Sequence, residues 1–277
     1  MRIVYLNGQY VEEQNAAIPI SDRGFLYGDG VFTTVLVENG NICHLDLHLE
    51  RLCQSCRKLQ IRPPKLTENT FRQLLVLNNA HAGSWRLKIV LSGGAEASLG
   101  LPMRDCGTVL ATIAPFLRNN RPLAVAVYPD PLQGIFAMHK TLSYLERLQI
   151  KEWAVQSRVD DAITRDSNQY LLELAFANLI WQVNGTWHTP ETSLPILKGV
   201  ALQVLLDHWE KSKTAFKQVS AKLEDIPIHA NLYAVNALQG AVPIMSIDNM
   251  HFPVNLQLAE AVNSLVGFSA DKLRERL

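Results

Sequence analysis

The chain has 277 residues, 48% of them hydrophobic and 19% charged, a balance typical of a globular protein with a sizeable core. Its 26 Lys and Arg side chains are matched by 26 Asp and Glu side chains, so the chain lacks the positive field that nucleic-acid binding uses, and no nucleic acid is expected as a partner. No run of about 18 apolar residues occurs, so no membrane span is expected either.

The first 116 residues are expected to form a small N-terminal α+β domain. An Asn7-Gly8 turn between two short apolar runs predicts a β-hairpin, and these runs are shorter than the apolar stretch of a secretory signal. Alternating apolar and β-branched residues predict strands, and helical periodicity predicts two helices. The strands are expected at 31–37, 42–45, 86–92 and 108–115, and the helices at 45–60 and 67–80.

The four cysteines, at positions 43, 53, 56 and 106, are few for so long a chain and indicate a reducing compartment, hence a cytoplasmic protein. Cys53 and Cys56 form a Cys-x-x-Cys pair, a pattern that occurs in redox and metal sites. The pair lies in a helical run, however, and no second Cys/His pair follows at zinc spacing. A structural role is therefore expected for both cysteines, and no metal.

Residues 117–122 are polar and aperiodic, so they are the candidate linker to a larger C-terminal α/β domain over 123–277. In that domain strands are expected at 123–128, 162–165, 170–174, 179–183, 186–188, 217–220, 231–235 and 244–247. Helices are expected at 141–159, 198–211 and 254–265. The chain as a whole is thus expected to be a two-domain α+β protein.

Two residues of the second half are candidates for a functional site. Lys140 follows a Gly-containing loop and is expected to start a helix, although most lysines in such positions are surface charges. Glu173 lies in an apolar segment, 171–178, where a carboxylate is unfavourable unless it has a partner. The alternative for Glu173 is a solvent-facing position on an edge strand.

Several short motifs occur in a fixed order along the chain, at 21–24, 27–34, 48–52, 139–145, 173–179, 197–201 and 235–243. In this order they resemble the superfamily of branched-chain and D-amino-acid aminotransferases, the fold-type IV enzymes that use pyridoxal 5'-phosphate (PLP). The match extends over most of the chain. The resemblance implies the two-domain fold of the D-amino-acid aminotransferases, a small-molecule amino or carboxylate substrate, and a homodimer.

The resemblance also implies how PLP is held. Lys140 would bind the cofactor's aldehyde covalently, and Glu173 would pair with the pyridine nitrogen. Arg51 and the backbone N–H groups of Val200 and Ala201 would bind the phosphate. Further cofactor contacts are implied for Tyr144, Leu197, Asn236 and Ala237.

The same resemblance bears on the reaction. The aminotransferases usually carry a Glu shortly after the Gly-Asp-Gly region, where this chain has Thr33-Thr34; later it has Asn236-Ala-Leu238. Both patterns resemble 4-amino-4-deoxychorismate lyase of folate biosynthesis, which releases pyruvate from 4-amino-4-deoxychorismate and leaves 4-aminobenzoate. In such a lyase Thr34 would act with Lys140 as a catalytic residue and relay a proton.

Two alternatives stay open. Segment 92–98 replaces a loop that usually carries arginines, which are plausible binders of a substrate carboxylate; His139, Lys88, Arg104 or a second subunit could compensate. The chain could therefore be an aminotransferase acting on branched-chain or D-amino acids. It could also be a non-catalytic or regulatory protein with the same fold, because Ala201 and Ala237 stand where the family usually has hydroxyl residues that bind the phosphate.

Overall fold

A computed structural model describes residues 2–95, 100–101, 103–119, 121–132 and 134–267. Helices and sheets are mixed along the chain, as in an α+β protein. The chain divides into two compact units, one made of Met1–Leu117 with His139–Tyr144 and the other of Arg118–Met138 with Leu145–Leu277. In the part of the chain that the structure describes, no helix is both long and apolar enough to cross a membrane.

The first unit is built on a six-stranded sheet with strand order β2-β1-β8-β6-β3-β4, and β5 and β7 form a separate short pair. In chain order its elements are β1 (Ile3–Leu6), β2 (Gln9–Glu12), α1 (Arg23–Tyr27), β3 (Gly30–Glu38), β4 (Asn41–Ile42), α2 (Leu45–Lys58), β5 (Ile61–Arg62), α3 (Glu68–Leu77), β6 (Ser84–Ser92), β7 (Arg104–Asp105) and β8 (Val109–Pro115). The strand expected at 42–45 ends at Ile42, because His44, at φ 50°, turns the chain into α2.

Strand β3 lies between β6 and the short edge strand β4. Its residues are mostly β-branched or aromatic, which favours an extended chain, and it pairs with β6 along its whole length. Side chains alternate between the two faces of a strand. Val31, Thr33 and Val35 therefore share the face that meets α2, and Phe32 and Thr34 share the other face.

The segment His139–Tyr144 belongs to the first unit because its backbone bonds to β3. The Phe32 N–H donates to the Lys140 carbonyl over 2.9 Å, and the Leu142 N–H donates to the Gly30 carbonyl over 2.9 Å. These groups cannot also make helical hydrogen bonds. The expectations that Lys140 starts a helix and lies in the C-terminal domain were therefore wrong, and the helix begins only at Leu145.

The second unit is built on a nine-stranded sheet, with order β11-β10-β9-β16-β15-β12-β13-β14 and β17 paired to β16. In chain order its elements are β9 (Leu123–Val127), α4 (Leu145–Gln156), β10 (Asp161–Arg165), β11 (Leu171–Leu174), β12 (Asn178–Val183), β13 (Thr186–Pro190), α5 (Val200–Ser212), β14 (Phe216–Val219), β15 (Asn231–Asn236), β16 (Gly240–Ile247), β17 (Met250–His251) and α6 (Leu256–Leu265). Because β11 also pairs with β12, the sheet closes on itself. Its core includes the fully buried Ile163, Leu179 and Ile244.

The apolar segment 171–178 is not one strand but the hairpin between β11 and β12. The Leu174 N–H donates to the Ala177 carbonyl over 2.8 Å, and Glu173 pairs with Asn178 across the turn. The turn contains neither Gly nor Pro, so the sequence carries no strong turn signal there. The hairpin brings the two polar residues of the segment opposite each other.

Of the residues expected to form the linker, three make contacts within the second unit, and one of them, Arg121, forms an ion pair with Asp160. Arg118 donates from its guanidinium to the Gln239 carbonyl over 2.7 Å, and the Asn119 N–H donates to Gln239 Oε1 over 2.9 Å. Position 120 lies outside the described residues. This stretch is therefore attached to the turn between β15 and β16.

Candidate active site

Lys140 lies in the first unit beside two aromatic rings. Its half-buried Nζ donates a hydrogen bond to Tyr144 Oη over 2.9 Å. The same nitrogen is 4.7 Å from the centroid of the Phe32 ring and 4.6 Å from that of Tyr144. The two rings pack edge to face with centroids 5.0 Å apart. The amine is thus held at a defined place by a phenol and two ring faces, which suits a nucleophile.

A second amine lies near the same ring. Lys88 Nζ is 4.9 Å from the Phe32 centroid, and Lys88 on β6 pairs with Thr34 on β3. Partial desolvation lowers the pKa of Lys88, and the charge of Arg86 adds to the shift. Thr34 is half-buried and shares the Phe32 face of β3. The phenylalanine is therefore flanked by two lysines, and the predicted catalytic hydroxyl lies on its side of the strand.

The opposite face of β3 carries a buried polar chain. Arg51 on α2 donates to Thr33 Oγ1 over 2.9 Å, and Thr33 Oγ1 lies 2.7 Å from His48 Nδ1. Thr33 is 0% exposed and His48 1%. Burial holds the pKa of His48 well below its ordinary value, and the charges of Arg51, His44 and Lys140 lower it further. His48 is consequently neutral at pH 7.

The N-terminal motif, at 21–30, builds a buried ionic cluster. Asp29 Oδ2 accepts from Arg23 Nε over 2.7 Å and also from Arg104, and all three residues are buried. Arg104 further donates to the carbonyls of Gly93 and Leu59. Its guanidinium is thus engaged inside the unit, which counts against Arg104 as a substitute binder of a substrate carboxylate.

Two further candidates for substrate binding from the sequence, the loop at 92–98 and His139, also lie in this unit. Residues 92–95 are described, but positions 96–98 of the arginine-poor loop lie outside the described residues. His139 Nδ1 lies 3.2 Å from Ser55 Oγ, and desolvation lowers the pKa of His139, with the charge of Lys58 adding to the shift. His139 therefore fixes the segment that carries Lys140 to helix α2.

The cysteines of the first unit are all free thiols. Burial raises the pKa of Cys56 to about 12, and Cys106 and Cys53 add to the shift. A thiol with so high a pKa is protonated at neutral pH and is a poor nucleophile or metal ligand. Among the described residues no group of His, Cys, Asp or Glu is arranged to hold a metal ion.

In the second unit Glu173 is the centre of a buried polar cluster. Its Oε1 accepts from the Leu197 N–H over 3.0 Å and from the guanidinium of Arg147, and its Oε2 accepts from Asn178 Nδ2 over 3.0 Å. Glu173 is 4% exposed and Arg147 8%. The alternative of a solvent-facing glutamate was therefore wrong. Arg147, on the first turns of α4, was not anticipated from the sequence.

The same cluster fixes the start of helix α5. Asn178 Nδ2 also donates to the Leu197 carbonyl over 2.7 Å. A Cβ at Gly199 would collide with Asn178 Oδ1, so a larger residue there would displace the amide that donates to Glu173 and Leu197. Val200 and Ala201, both buried, follow as the first helical residues, whose N–H groups have no partner within the helix. This end of α5 can therefore accept an anion.

The last predicted contact lies in the turn between β15 and β16. Asn236 Oδ1 accepts from the N–H groups of Leu238 and Gln239 over 2.9 and 2.8 Å, and its Nδ2 donates to the Phe176 carbonyl over 3.2 Å. The Asn236 side chain therefore shapes the turn and joins it to the β11–β12 hairpin. Ala237 is half-buried within this turn.

These residues fit PLP. The cofactor requires a reactive amine, a carboxylate for its pyridine nitrogen and cationic or backbone donors for its phosphate. The described residues include a half-buried amine at Lys140, a buried carboxylate at Glu173, the guanidinium of Arg51 and the N-terminus of α5. Fold and site residues together define the class of fold-type IV, PLP-dependent enzymes.

Comparison with known proteins identifies the family. The model of the amino-transferase class IV family matches residues 30–247. The chain belongs to this family, whose members are PLP-dependent lyases or aminotransferases.

Relatives of both reaction types are similar along nearly the whole chain. A putative branched-chain-amino-acid aminotransferase of Methanocaldococcus jannaschii is 28% identical over 99% of this chain and 94% of its own length. The aminodeoxychorismate lyase of Bacillus subtilis is 25% identical over 95% and 92%. The choice between the two reactions therefore depends on the residues of the site.

Solved structures that superimpose on this chain likewise include an aminotransferase and a lyase. A branched-chain aminotransferase from Thermoproteus uzoniensis, crystallised with norvaline, superimposes with a TM-score of 0.84 at 20% identity, covering 98% of this chain and 97% of that one. A putative 4-amino-4-deoxychorismate lyase from Legionella pneumophila gives a TM-score of 0.81 at 26% identity, covering 92% and 96%. Both support the fold-type IV architecture.

Proposed function

We propose that this protein is a lyase that converts 4-amino-4-deoxychorismate into 4-aminobenzoate and pyruvate, a cytoplasmic step of folate biosynthesis. The observation that carries the proposal is the hydroxyl of Thr34. It lies on the same face of β3 as Phe32, whose ring contacts the amine of Lys140. A hydroxyl on this face is suited to a proton transfer that an aminotransferase does not require, since there one lysine can move the proton.

Several side chains would hold the cofactor. Lys140 Nζ would bind its aldehyde carbon, and Tyr144, already hydrogen-bonded to that nitrogen, would orient it. The carboxylate of Glu173 would hold a proton on the pyridine nitrogen. PLP, when bound, supplies an electron sink for negative charge that develops on the substrate. Leu197 would lie against the ring, with its backbone fixed by Glu173 and Asn178.

The phosphate would be bound by charge and by backbone donors. Arg51 would supply the guanidinium, and Val200 and Ala201 would supply N–H groups together with the positive end of the α5 dipole. Because the side chain of Asn236 is engaged in its own turn, that loop would contribute through the backbone of Asn236 and Ala237.

Two protein groups would move the protons. Lys140 Nζ, free once the substrate amine takes its place on the cofactor, would take the proton from the amino-bearing ring carbon as the carbon–oxygen bond to the enolpyruvyl group breaks and its electrons leave with the oxygen. Thr34 Oγ1 would pass a proton to the methylene carbon of the departing group, which becomes the methyl of pyruvate. One proton is lost from the ring and one is gained by pyruvate, so the step needs no oxidant or reductant.

Lys88 would bind a substrate carboxylate. Its ammonium lies on the Phe32 side of β3, and its strand partner is Thr34. Segment 92–95, the described part of the loop, carries no arginine, and Arg104 is engaged with Asp29. Lys88 is therefore the cation on this face best suited to take over the role of the missing arginines.

An aminotransferase acting on branched-chain or D-amino acids is the second candidate, favoured by the archaeal aminotransferase relative that matches 99% of this chain. The test is a pair of assays on one preparation: 4-aminobenzoate and pyruvate formed from 4-amino-4-deoxychorismate, and oxo acid formed from a panel of amino acids. We expect stoichiometric 4-aminobenzoate and pyruvate. Ordinary transamination rates without 4-aminobenzoate would establish the second candidate instead.

We further propose that the protein is a homodimer. Five large apolar side chains within ten positions are exposed, among them Ile20 at 85% and Phe25 at 73%. Such a cluster is typical of a protein–protein contact surface. A second copy of the chain would cover it.

A further inference from the structure

Arg51 is attached to β3 through a residue that the proposed reaction does not use. Thr33 is fully buried, and its Oγ1 accepts the hydrogen bond from the Arg51 guanidinium over 2.9 Å. The same oxygen lies 2.7 Å from Nδ1 of His48, which is 1% exposed and one helical turn before Arg51 on α2. Three side chains from two elements thus form one continuous hydrogen-bonded chain.

The direction of each hydrogen bond follows from its neighbour. A guanidinium can only donate, so Thr33 Oγ1 is the acceptor from Arg51. Thr33 Oγ1 can then donate its single hydroxyl proton to His48 Nδ1, which must be unprotonated to accept it. Neutral His48, with its proton on Nε2, satisfies this requirement. The chain is therefore polarised from Arg51 through Thr33 to His48.

We propose that Thr33 and His48 are positioning residues that hold Arg51 in the orientation needed to bind the phosphate of the cofactor. This inference rests on the proposed function, in which Arg51 binds that phosphate. An arginine side chain has many rotamers, and a ligand that must order it binds more weakly. Thr33 and His48 order the guanidinium before the phosphate arrives, and His48 does so as an acceptor that stays unprotonated.

The inference is tested by comparing two ligands that differ only in the phosphate. Apoprotein of the full chain is titrated with PLP and with pyridoxal, and the affinity for each is measured from the absorbance of the bound cofactor. The variants are Thr33→Val, which keeps the shape and removes the hydroxyl, and Thr33→Ser, which keeps the hydroxyl. Thr34→Val, one position along on the opposite face of β3, is the matched control for binding.

We expect Thr33→Val to weaken PLP binding about ten-fold, as loss of a hydrogen bond to a charged group does, and to leave pyridoxal binding unchanged. Thr33→Ser should keep the PLP affinity of the wild type, and Thr34→Val should bind both ligands like the wild type. Equal weakening for both ligands would show that Thr33 has only a structural role, and no weakening would show that Arg51 needs no support. Either result overturns the inference.

His48 provides the second measurement. His48→Asn places an amide oxygen where Nδ1 accepts from Thr33, so PLP affinity should be kept, whereas His48→Leu should lower it without affecting pyridoxal. If His48→Leu binds PLP like the wild type, His48 is not part of the positioning chain. Failure of the wild-type protein to bind either ligand would instead contradict the proposed function, so the two failures are distinguishable.

Discussion

The guanidinium of Arg147 and the carboxylate of Glu173 form an ion pair in the interior of the second unit, with side chains only 10% and 5% exposed. Removing one partner of such a pair leaves a buried charge without compensation. We expect Arg147→Met to lower the free energy of unfolding by about 3–5 kcal/mol, measured by urea denaturation. The matched control is Arg62→Met in the exposed pair with Asp105, which should lose no more than about 1 kcal/mol.

The carboxylate of Glu173 is also expected to affect turnover. Glu173→Gln should keep the cofactor bound, because the amide oxygen can still accept from the Leu197 N–H, but should slow turnover sharply, since an amide holds the pyridine proton less well. Turnover and the absorbance of bound cofactor are measured on the same samples. Near-normal turnover would remove Glu173 from the catalytic site.

Reduction with borohydride should attach the cofactor permanently to Lys140. Mass spectrometry of peptides from the reduced protein locates the label, and Lys140→Ala should abolish it. Lys88→Ala is the matched control, because Lys88 lies at nearly the same distance from the Phe32 ring. A label on Lys88 would exchange the roles proposed for the two lysines.

Thr34→Val should slow pyruvate release by about 10²–10⁴-fold, the usual effect of losing one proton-transfer group. The absorbance of the bound cofactor should not change, since Thr34 is assigned no part in holding it. Stopped-flow measurement of 4-aminobenzoate fluorescence gives the rate. A rate like that of the wild type would assign the proton transfer to another group and weaken the case for the lyase over the aminotransferase.

The stability of the protein should fall in acid because of His48. Burial and the charges of Arg51, His44 and Lys140 lower its pKa in the folded state, so the unfolded chain binds the proton more readily. The stability contributed by neutral His48 is fully present above the ordinary histidine pKa. It decreases as the pH falls below that value, by up to about 1.4 kcal/mol per pH unit. His48→Asn should flatten this acid limb below about pH 6.5, as measured by urea denaturation at a series of pH values.

Association should depend on the exposed apolar cluster at 18–27. Light scattering is expected to give a dimer for the wild-type protein, and Phe25→Glu should shift it toward the monomer. Val76→Glu is the matched control, because Val76 is exposed to nearly the same fraction, 72%, but lies outside the cluster. A wild-type monomer at assay concentration would contradict the proposed dimer.

The sequence predicted those parts of the site that depend on local order along the chain. The motif order identified Lys140 and Glu173 as site candidates, and the alternation of β3 implies that Thr33 and Thr34 point to opposite faces. The fold class was confirmed, because fold-type IV structures superimpose on nearly the whole chain. The roles of the individual site residues stay predictions, which the variants above test.

Contacts between distant segments could not be predicted in this way. Arg147 looks like one more surface arginine, since α4 has only a weak apolar face to indicate which side is buried. The start of α4 was placed too early, because nothing local shows that the backbone of Lys140 and Leu142 bonds to β3, more than 100 positions earlier. Arg104 was considered for substrate binding because nothing in its local sequence shows that its guanidinium is paired with the buried Asp29, 75 positions away.

The backbone bonding of His139–Tyr144 to β3 limits how this protein can be divided. The chain passes from one unit to the other three times, after Leu117, after Met138 and after Tyr144. A fragment that starts at Arg118 would contain Lys140 but not the strand that fixes its backbone. Neither unit is therefore a transferable module, and a chimaera of two family members would keep a native lysine environment only if the short segment 139–144 were exchanged together with the first unit.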